Sequence, residues 1–339
     1  MAGEKKQEKV TVIIPAYNAQ DTIEECLLHL IAQKKKDFEI IVVDDASKDN
    51  TAQLVKNIIK QNGKKSPKIR LIKLEKNGGA GAARNAGAKV STTEIIAFLD
   101  ADCVANNNWL QSLLEGMKVH DCIAVVSQYN GSACEEFIAK YAFYELRFRD
   151  KGDDGFLDSA SSCNFICKRE AFLQTAGFSS DRYAEPAEDI DFFFRLSQRG
   201  KIWFVNSARV SHHFRSSLRG YLKQQKEYSR STAYLFLKSY KKDLLKKKTL
   251  QDKGTYIEII VTVLFFPIVA GSALLSSWMV SGILTGYLAS MLFLNKQFLW
   301  YLKDQEDASF AWKSIPIIFI RTGYWIIGIL EGLVGFFRR

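Results

Sequence analysis

The sequence contains six cysteines, and no two of them form a CxxC pair. Cys163 and Cys167 are separated by three residues with no second ligand pair downstream, which argues against a zinc site. With Cys26, Cys103, Cys122 and Cys134, they read as reduced, mostly buried thiols of a cytoplasmic domain. The opening "MAGEKKQEKV" is charged and lacks the apolar run of a signal peptide, so the first domain is expected on the cytoplasmic side. The net charge of +10 comes without a zinc-finger, homeodomain or RNA-binding pattern, and no nucleic-acid partner is expected. Both glycine-loop templates fail as well. GxGxxG from Gly79 would need glycine where Arg84 stands, and GxxxxGK finds no lysine. No internal repeat is present.

The second half holds a long stretch without charge. From Ile259, "IIVTVLFFPIVAGSALLSSWMVSGILTGYLASMLFL" is enough for two membrane spans of roughly 20 residues, about 257–295, turning near Ser276 and Ser277. A possible third segment, about 315–337, carries Arg321 and Glu331; these face partner helices or mark an interfacial segment. Two spans keep Arg338 and Arg339 on the cytoplasmic side. The intervening "NKQFLWYLKDQEDASFAW" reads as an interfacial linker with aromatic anchors. Lysines cluster at 34–36 and again in "KKDLLKKK" just before the apolar region, as expected of a cytoplasmic membrane flank. The expected layout is a folded domain at 1–240, a basic linker at 241–256 and a multi-pass membrane region at 257–339.

The first half alternates apolar runs with helical patterns. "VTVIIPAYN", "FEIIVVDDAS", "KIRLIKLE", "EIIAFLDAD" and "CIAVVSQYN" read as strands. "DTIEECLLHLIAQ" reads as a helix, with Asp21 as N-cap and Glu24 closing a capping box. Continuously apolar strands separated by single helices predict an α/β fold with a mostly parallel, Rossmann-like sheet covered on both faces. Ligands bind beyond the carboxyl ends of such strands. The polar residues collect there: Pro15, Ala16, Tyr17 and Asn18; Asp44 and Ser47; Asp100 and Asp102.

Asp100 and Asp102 lie at i and i+2 and point to the same side if the chain stays extended. Two converging carboxylates suit a hard divalent cation, and the cation suits a diphosphate; the alternative is a solvated loop. "DDAS" is a second acidic strand end, a feature shared with phosphoacceptor receiver domains, but those are shorter and leave the second half unexplained. "NGGAGAARNAG" starts a helix of very small residues. Either they pack closely, or they bring the Arg84 fork to a phosphate. "AEDIDFFFR" places Glu188 and Asp189 at a helix start, where the dipole favours their ionised forms. A carboxylate there can take a hydroxyl proton. Asp191 and Arg195 are spaced as a surface ion pair. In "SHHFR", His212 and His213 point in opposite directions, so one of them serves a site as metal ligand or phosphate donor while the other packs.

Taken in order, "VIIPAYNA", "VVDDASKDNT", "NGGAGAARNAG", "FLDADC", "AEDIDFFFRLSQRG" and "HHFR" resemble the family 2 glycosyltransferases, inverting enzymes of the GT-A fold. The pieces cover about Val10 to Ser231. The resemblance implies that Pro15 to Asn18, Asp44, Ser47, Gly79, Arg84, Asp100 and Arg215 hold a nucleotide-sugar donor, often a uridine one. It implies that Asp100 and Asp102 organise Mg²⁺ or Mn²⁺, helped by His212 or His213. Asp189 would be the catalytic base, with Glu188 placing acceptor or base. The QxxRW motif of processive members is absent: Gln225 is followed by Glu227, Tyr228 and Arg230, which implies one sugar per acceptor. The membrane region suggests a lipid-linked or surface-glycan acceptor. A sugar-nucleotide nucleotidyltransferase would need a basic glycine-rich loop near the N-terminus, whereas "PAYNAQDT" has no Lys or Arg. A non-catalytic membrane scaffold is disfavoured by the intact carboxylates.

Overall fold

The computed structural model describes residues 9–63, 65–149, 154–157, 162–179, 188–239, 260–265 and 277–337. The chain forms two compact units. The first comprises Met1–Cys134 and Gly152–His213; the second comprises Glu135–Lys151, Phe214–Leu245 and Leu250–Arg339.

The first unit follows the predicted alternation: β1 (Val10–Ala16), α1 (Ile23–Ile31), β2 (Phe38–Asp44), α2 (Thr51–Asn62), β3 (Lys68–Lys73), α3 (Gly79–Val90), β4 (Ile95–Leu99), β5 (Cys103–Ala105), α4 (Trp109–Val119), β6 (Ala124–Val126) and β7 (Tyr129–Ser132). After α5 (Phe137–Arg149), which belongs to the second unit, come β8 (Gly155–Leu157), β9 (Asn164–Lys168), α6 (Arg169–Gln174), α7 (Glu188–Ser197), β10 (Ile202–Phe204) and β11 (Val210–His212).

The main sheet runs β3-β2-β1-β4-β9-β6-β10-β8. Strands β1 to β4 are mutually parallel, as the apolar runs predict, and β1 is buried throughout. β9 enters antiparallel between β4 and β6, and β8 pairs antiparallel with β10. The sheet is therefore mixed. A smaller sheet, β5-β11-β7, sits where β4 leaves the main one. β11 pairs with β5 so that His212 lies opposite Cys103.

One local expectation fails. The N-cap of α1 is Thr22, and no side chain caps this helix. The Ala19 carbonyl accepts from the amides of Thr22 and Ile23 instead, and Thr51 Oγ1 holds the Ala19 amide at 2.8 Å. Long-range contacts set this helix start, so Asp21 and Glu24 form no capping box.

Phenylalanines build the core behind the carboxylates. Phe98 of β4 stacks on Phe165 of β9 at 4.6 Å, and Phe178 stacks on Phe192 of α7 at 4.3 Å. Phe193 packs edge-on against Phe165. Burying one such ring contributes about 1.5–3 kcal/mol. The "DFFF" run thus seats the start of α7 against the sheet that carries Asp100.

The second unit contains α5, α8 (Leu218–Ser239), a helical stretch at 260–265, α9 (Ser277–Leu294), α10 (Lys296–Gln305) and α11 (Ala308–Phe337). The predicted basic linker and most of the first predicted span lie outside the described residues. Among the described residues, α11 is the helix long and apolar enough to cross a membrane, and α9 contains a shorter apolar helix, Val280–Leu294. The third segment, read from sequence as ambiguous, is thus the longest continuous helix. It starts at Ala308, inside the stretch read as linker, and α10 occupies most of the rest. In its buried face Arg321 meets Glu145 of α5, which also accepts from Tyr221 at 2.5 Å and from Arg149 at 3.0 Å. The charge of Arg321 therefore faces partner helices, one of the two readings its sequence position allowed.

Candidate active site

The ends of β1 and β2 form one wall. Asn18 takes a positive φ of 48°, accepts the Lys48 amide on its side chain at 2.9 Å, and donates its own amide to Ser47 Oγ at 3.0 Å. Asp44 is fully buried. Its Oδ1 accepts the Ser47 amide, and its Oδ2 lies 3.7 Å from Lys73 Nζ without accepting a hydrogen bond among the described residues. Pro15 and Ala16 close β1 as buried residues, while Tyr17 is exposed.

The glycine-rich segment joins this wall to the rest of the site. Asp45, the second acid of "DDAS", accepts the amides of Gly78 and Gly79 at 2.9 and 2.8 Å. Gly79 needs its φ of +85° to make that turn. Gly87 lets α3 lie on β1, since a Cβ there would stand 2.4 Å from Ile13. Asn85 clamps the backbone of Phe178 through both amide atoms at 2.8 and 2.9 Å.

Arg84 is 4% exposed and lies between the two acidic motifs. Its guanidinium donates to Asp100 Oδ1 at 2.6 Å, stands 3.7 Å from Glu188 Oε1, and covers the Phe178 ring. Burial works against its charge, but Asp100 and Glu188 outweigh burial and keep it firmly protonated. Burial pushes the Asp100 carboxyl up, and Arg84 opposes the rise. The Asp189 carboxyl is pushed up to about 7, first by burial and then by the adjacent Glu188 charge. Asp189 Oδ1 accepts the Ile190 amide at 2.8 Å. Asp191 pairs with Arg195 at 2.6 Å as predicted, although both are partly buried rather than fully on the surface.

Beyond β4 the chain turns tightly, with the Cys103 amide donating to the Asp100 carbonyl. Asp102 Oδ2 comes within 3.2 Å of His212 Nε2. Among the described residues, Asp102, Cys103 and His212 hold their ligand-type atoms within 4.8 Å of one another. Burial pushes the Cys103 thiol well above its ordinary value, leaving one carboxylate oxygen and one imidazole nitrogen as the donors. That set fits Mn²⁺ or Mg²⁺ better than a soft metal. Asp100 is engaged by Arg84, so Asp102 is the carboxylate of the pair beside a histidine.

The two histidines divide as the strand alternation requires. His213 sends its ring to Glu25 at 2.8 Å and to Cys134 Sγ at 3.6 Å, and its amide donates to the Asp102 carbonyl at 2.9 Å. The predicted metal ligand His213 therefore lies outside the Asp102 group; it steadies the strand carrying His212. No local pattern announced Glu25 or Cys134, both remote in sequence. Arg215 is exposed and belongs to the second unit.

Comparison with known proteins agrees with this geometry. The sequence model of glycosyl transferase family 2 matches residues 11–174. Glycosyltransferase GlyG of Streptococcus pneumoniae serotype 4 is 27% identical over 223 residues, 62% of this chain and 72% of that protein. The succinoglycan biosynthesis protein ExoO of Rhizobium meliloti is 38% identical over 110 residues, covering 32% of this chain and 30% of its own length. The fold is similar to that of the mannosyltransferase PcManGT from Pyrobaculum calidifontis, solved with GDP-Man and Mn²⁺. That likeness has a TM-score of 0.66 at 18% identity, over 97% of this chain and 88% of the other. The fold is GT-A, and residues 11–174 form a domain of glycosyl transferase family 2, enzymes that transfer a sugar from a nucleotide sugar.

Proposed function

We propose that the chain transfers one sugar, with inversion, from a UDP-linked donor to an acceptor hydroxyl on a lipid-linked or surface-glycan precursor. The observation that carries this reading is the convergence on Arg84. One buried guanidinium ties Asp100, beside the candidate metal pair, to Glu188, beside the candidate base.

In this reading Asp44 receives the nucleobase. Its buried Oδ2 accepts no hydrogen bond among the described residues and can take an N–H from a base. Pro15 to Asn18, Ser47 and Gly79 line the nucleotide side. Asp102 and His212 would hold Mn²⁺ or Mg²⁺, which when bound neutralises charge on the donor diphosphate and leaving group. Arg84 opposes the burial-driven rise of the Asp100 carboxyl and orients it beside that pair.

Asp189 takes the proton from the acceptor hydroxyl. A value near 7 suits the task, because it leaves the carboxylate basic enough to accept a proton yet about half ionised at neutral pH. A single displacement at the anomeric carbon, on the face opposite the leaving diphosphate, gives inversion. Glu188 supports Asp189 electrostatically. The missing QxxRW motif fits transfer of one sugar per acceptor.

We place the enzyme at the cytoplasmic membrane, with the first unit in the cytoplasm. Support comes from the apolar helices of the second unit and the lysine cluster before them. The donor assignment is tested by titrating UDP into the protein with and without Mn²⁺. Wild type should bind UDP with a clear gain from Mn²⁺, and Asp102→Ala should lose that gain. Binding unaffected by either change contradicts the metal-diphosphate reading.

A further inference from the structure

α11 is long enough to span a bilayer, but its partner helix is not suited to one. α8 runs beside α11 in parallel register. Tyr221 and Arg321 share Glu145, and Gln225 accepts from Trp325 at 2.9 Å. Lys226 pairs with Glu331 at 2.9 Å, and Tyr234 meets Phe336. The two backbones touch at Gly328 and Gly332. A Cβ on Gly328 would stand 2.0 Å from Ser229 and 2.3 Å from the Lys226 carbonyl; one on Gly332 would stand 2.3 Å from the Arg230 carbonyl. This GxxxG contact locks α8 along α11 from about Arg321 to Phe336.

Among the residues whose side chains are described, α8 carries Arg219, Lys223, Lys226, Glu227 and Arg230. Lys223 and Glu227 pair on its open side, where the Lys223 side chain is 73% exposed. If α11 crossed a bilayer in this packing, these charges would be distributed through the hydrocarbon, where ionised groups are strongly disfavoured. The free side of α11 is different. Trp312, Ile320, Ile327, Leu330, Val334 and Phe337 are all exposed and form one stripe along the helix, bordered by exposed Lys313 and Glu331. A helix with one face covered by protein, one apolar stripe and a charged border has the build of an interfacial helix. Exposed Trp300, with Lys303 4.8 Å from its ring, is an anchor of the kind found at headgroup level.

We propose that α8 and α11 lie together in the plane of a lipid surface, with the α11 stripe against the acyl chains and the basic side of α8 among anionic headgroups. This deepens the proposed membrane attachment and rests on it. Among the described side chains of α8, four basic residues stand against one acidic residue, and Arg219 and Lys223 are exposed, which supplies the charge complementarity.

Depth measurement on the full chain tests the orientation. Spin labels are placed singly at Ile320, Ile327 and Val334, exposed positions seven residues apart on one face. Cys134→Ser removes the one cysteine that is not buried. The protein is reconstituted in phosphatidylcholine vesicles with roughly a third phosphatidylglycerol, and immersion depth is read from collision with oxygen and with a water-soluble nickel complex. An in-plane helix puts all three labels at one shallow depth below the headgroups. A crossing helix separates the first from the last by about 21 Å, at 1.5 Å per residue; that result overturns the orientation and leaves membrane attachment standing. Three labels fully accessible to water overturn both.

Discussion

A buried carboxylate kept near neutral pH costs stability, and Asp189 should show it. Its pKa is about 7, against 3.8 for an unperturbed aspartate, with burial the main cause and Glu188 the second. Between these values the folded chain binds a proton that the unfolded chain has released, so stability falls as pH rises through this window. Above about pH 7 the penalty is complete. At about 1.4 kcal/mol per pKa unit, three units set a ceiling of about 4 kcal/mol. Asp189→Asn removes the penalty and keeps the oxygen that accepts the Ile190 amide. The variant should therefore be more stable than wild type at pH 8, by about 2–4 kcal/mol, and the gap should close towards pH 4. Urea unfolding of both proteins at the two pH values measures it. A variant equal to or weaker than wild type at pH 8, or a gap independent of pH, refutes the burial argument. The same titration governs catalysis: kcat/KM should rise with pH and level off above about 7 in the wild type.

Two further outcomes follow from the site. Arg84→Met leaves the buried Glu188 and the partly buried Asp100 without their cation and should cost about 3–5 kcal/mol, seen as a lowered unfolding midpoint; an unchanged midpoint contradicts its bridging position. His212→Ala should weaken Mn²⁺ binding at least about tenfold by calorimetry, whereas His213→Ala, whose ring points to Glu25 and Cys134, should weaken it less. Equal losses would contradict the division between the two histidines.

The sequence and the structure agree where a motif is local. The strands leading to Asn18, Asp44 and Asp100 and the helix start at Glu188 lie where periodicity puts them, because apolar runs and turn residues sit side by side in the chain, although β4 stops at Leu99 and turns instead of running on through Asp102. Relations carried by distant partners were not legible. β9 looks like any other apolar run, and nothing in "CNFICK" reveals its antiparallel entry between β4 and β6. Alternation showed that His212 and His213 diverge, but the choice between them depends on Glu25, 188 residues away. The small-residue helix allowed either close packing or an Arg84 fork at a phosphate, and nothing local showed that the guanidinium also meets Asp100 and Glu188. Asp45 was hidden beside Asp44, since only the glycine turn shows which carboxylate ties that loop. In the second unit, hydropathy located apolar segments but could not show that α11 is covered by a charged helix.

The most direct test of the account is release of nucleoside diphosphate from a panel of nucleotide sugars, in the presence of Mn²⁺ and a glycan or lipid-linked acceptor, by wild type and Asp189→Asn. Wild type should turn over at least one donor only when metal is present. Asp189→Asn should bind the same donor with similar affinity and lose transfer by about a thousandfold or more. Undiminished transfer by Asp189→Asn, or full transfer in excess chelator, contradicts the central claim.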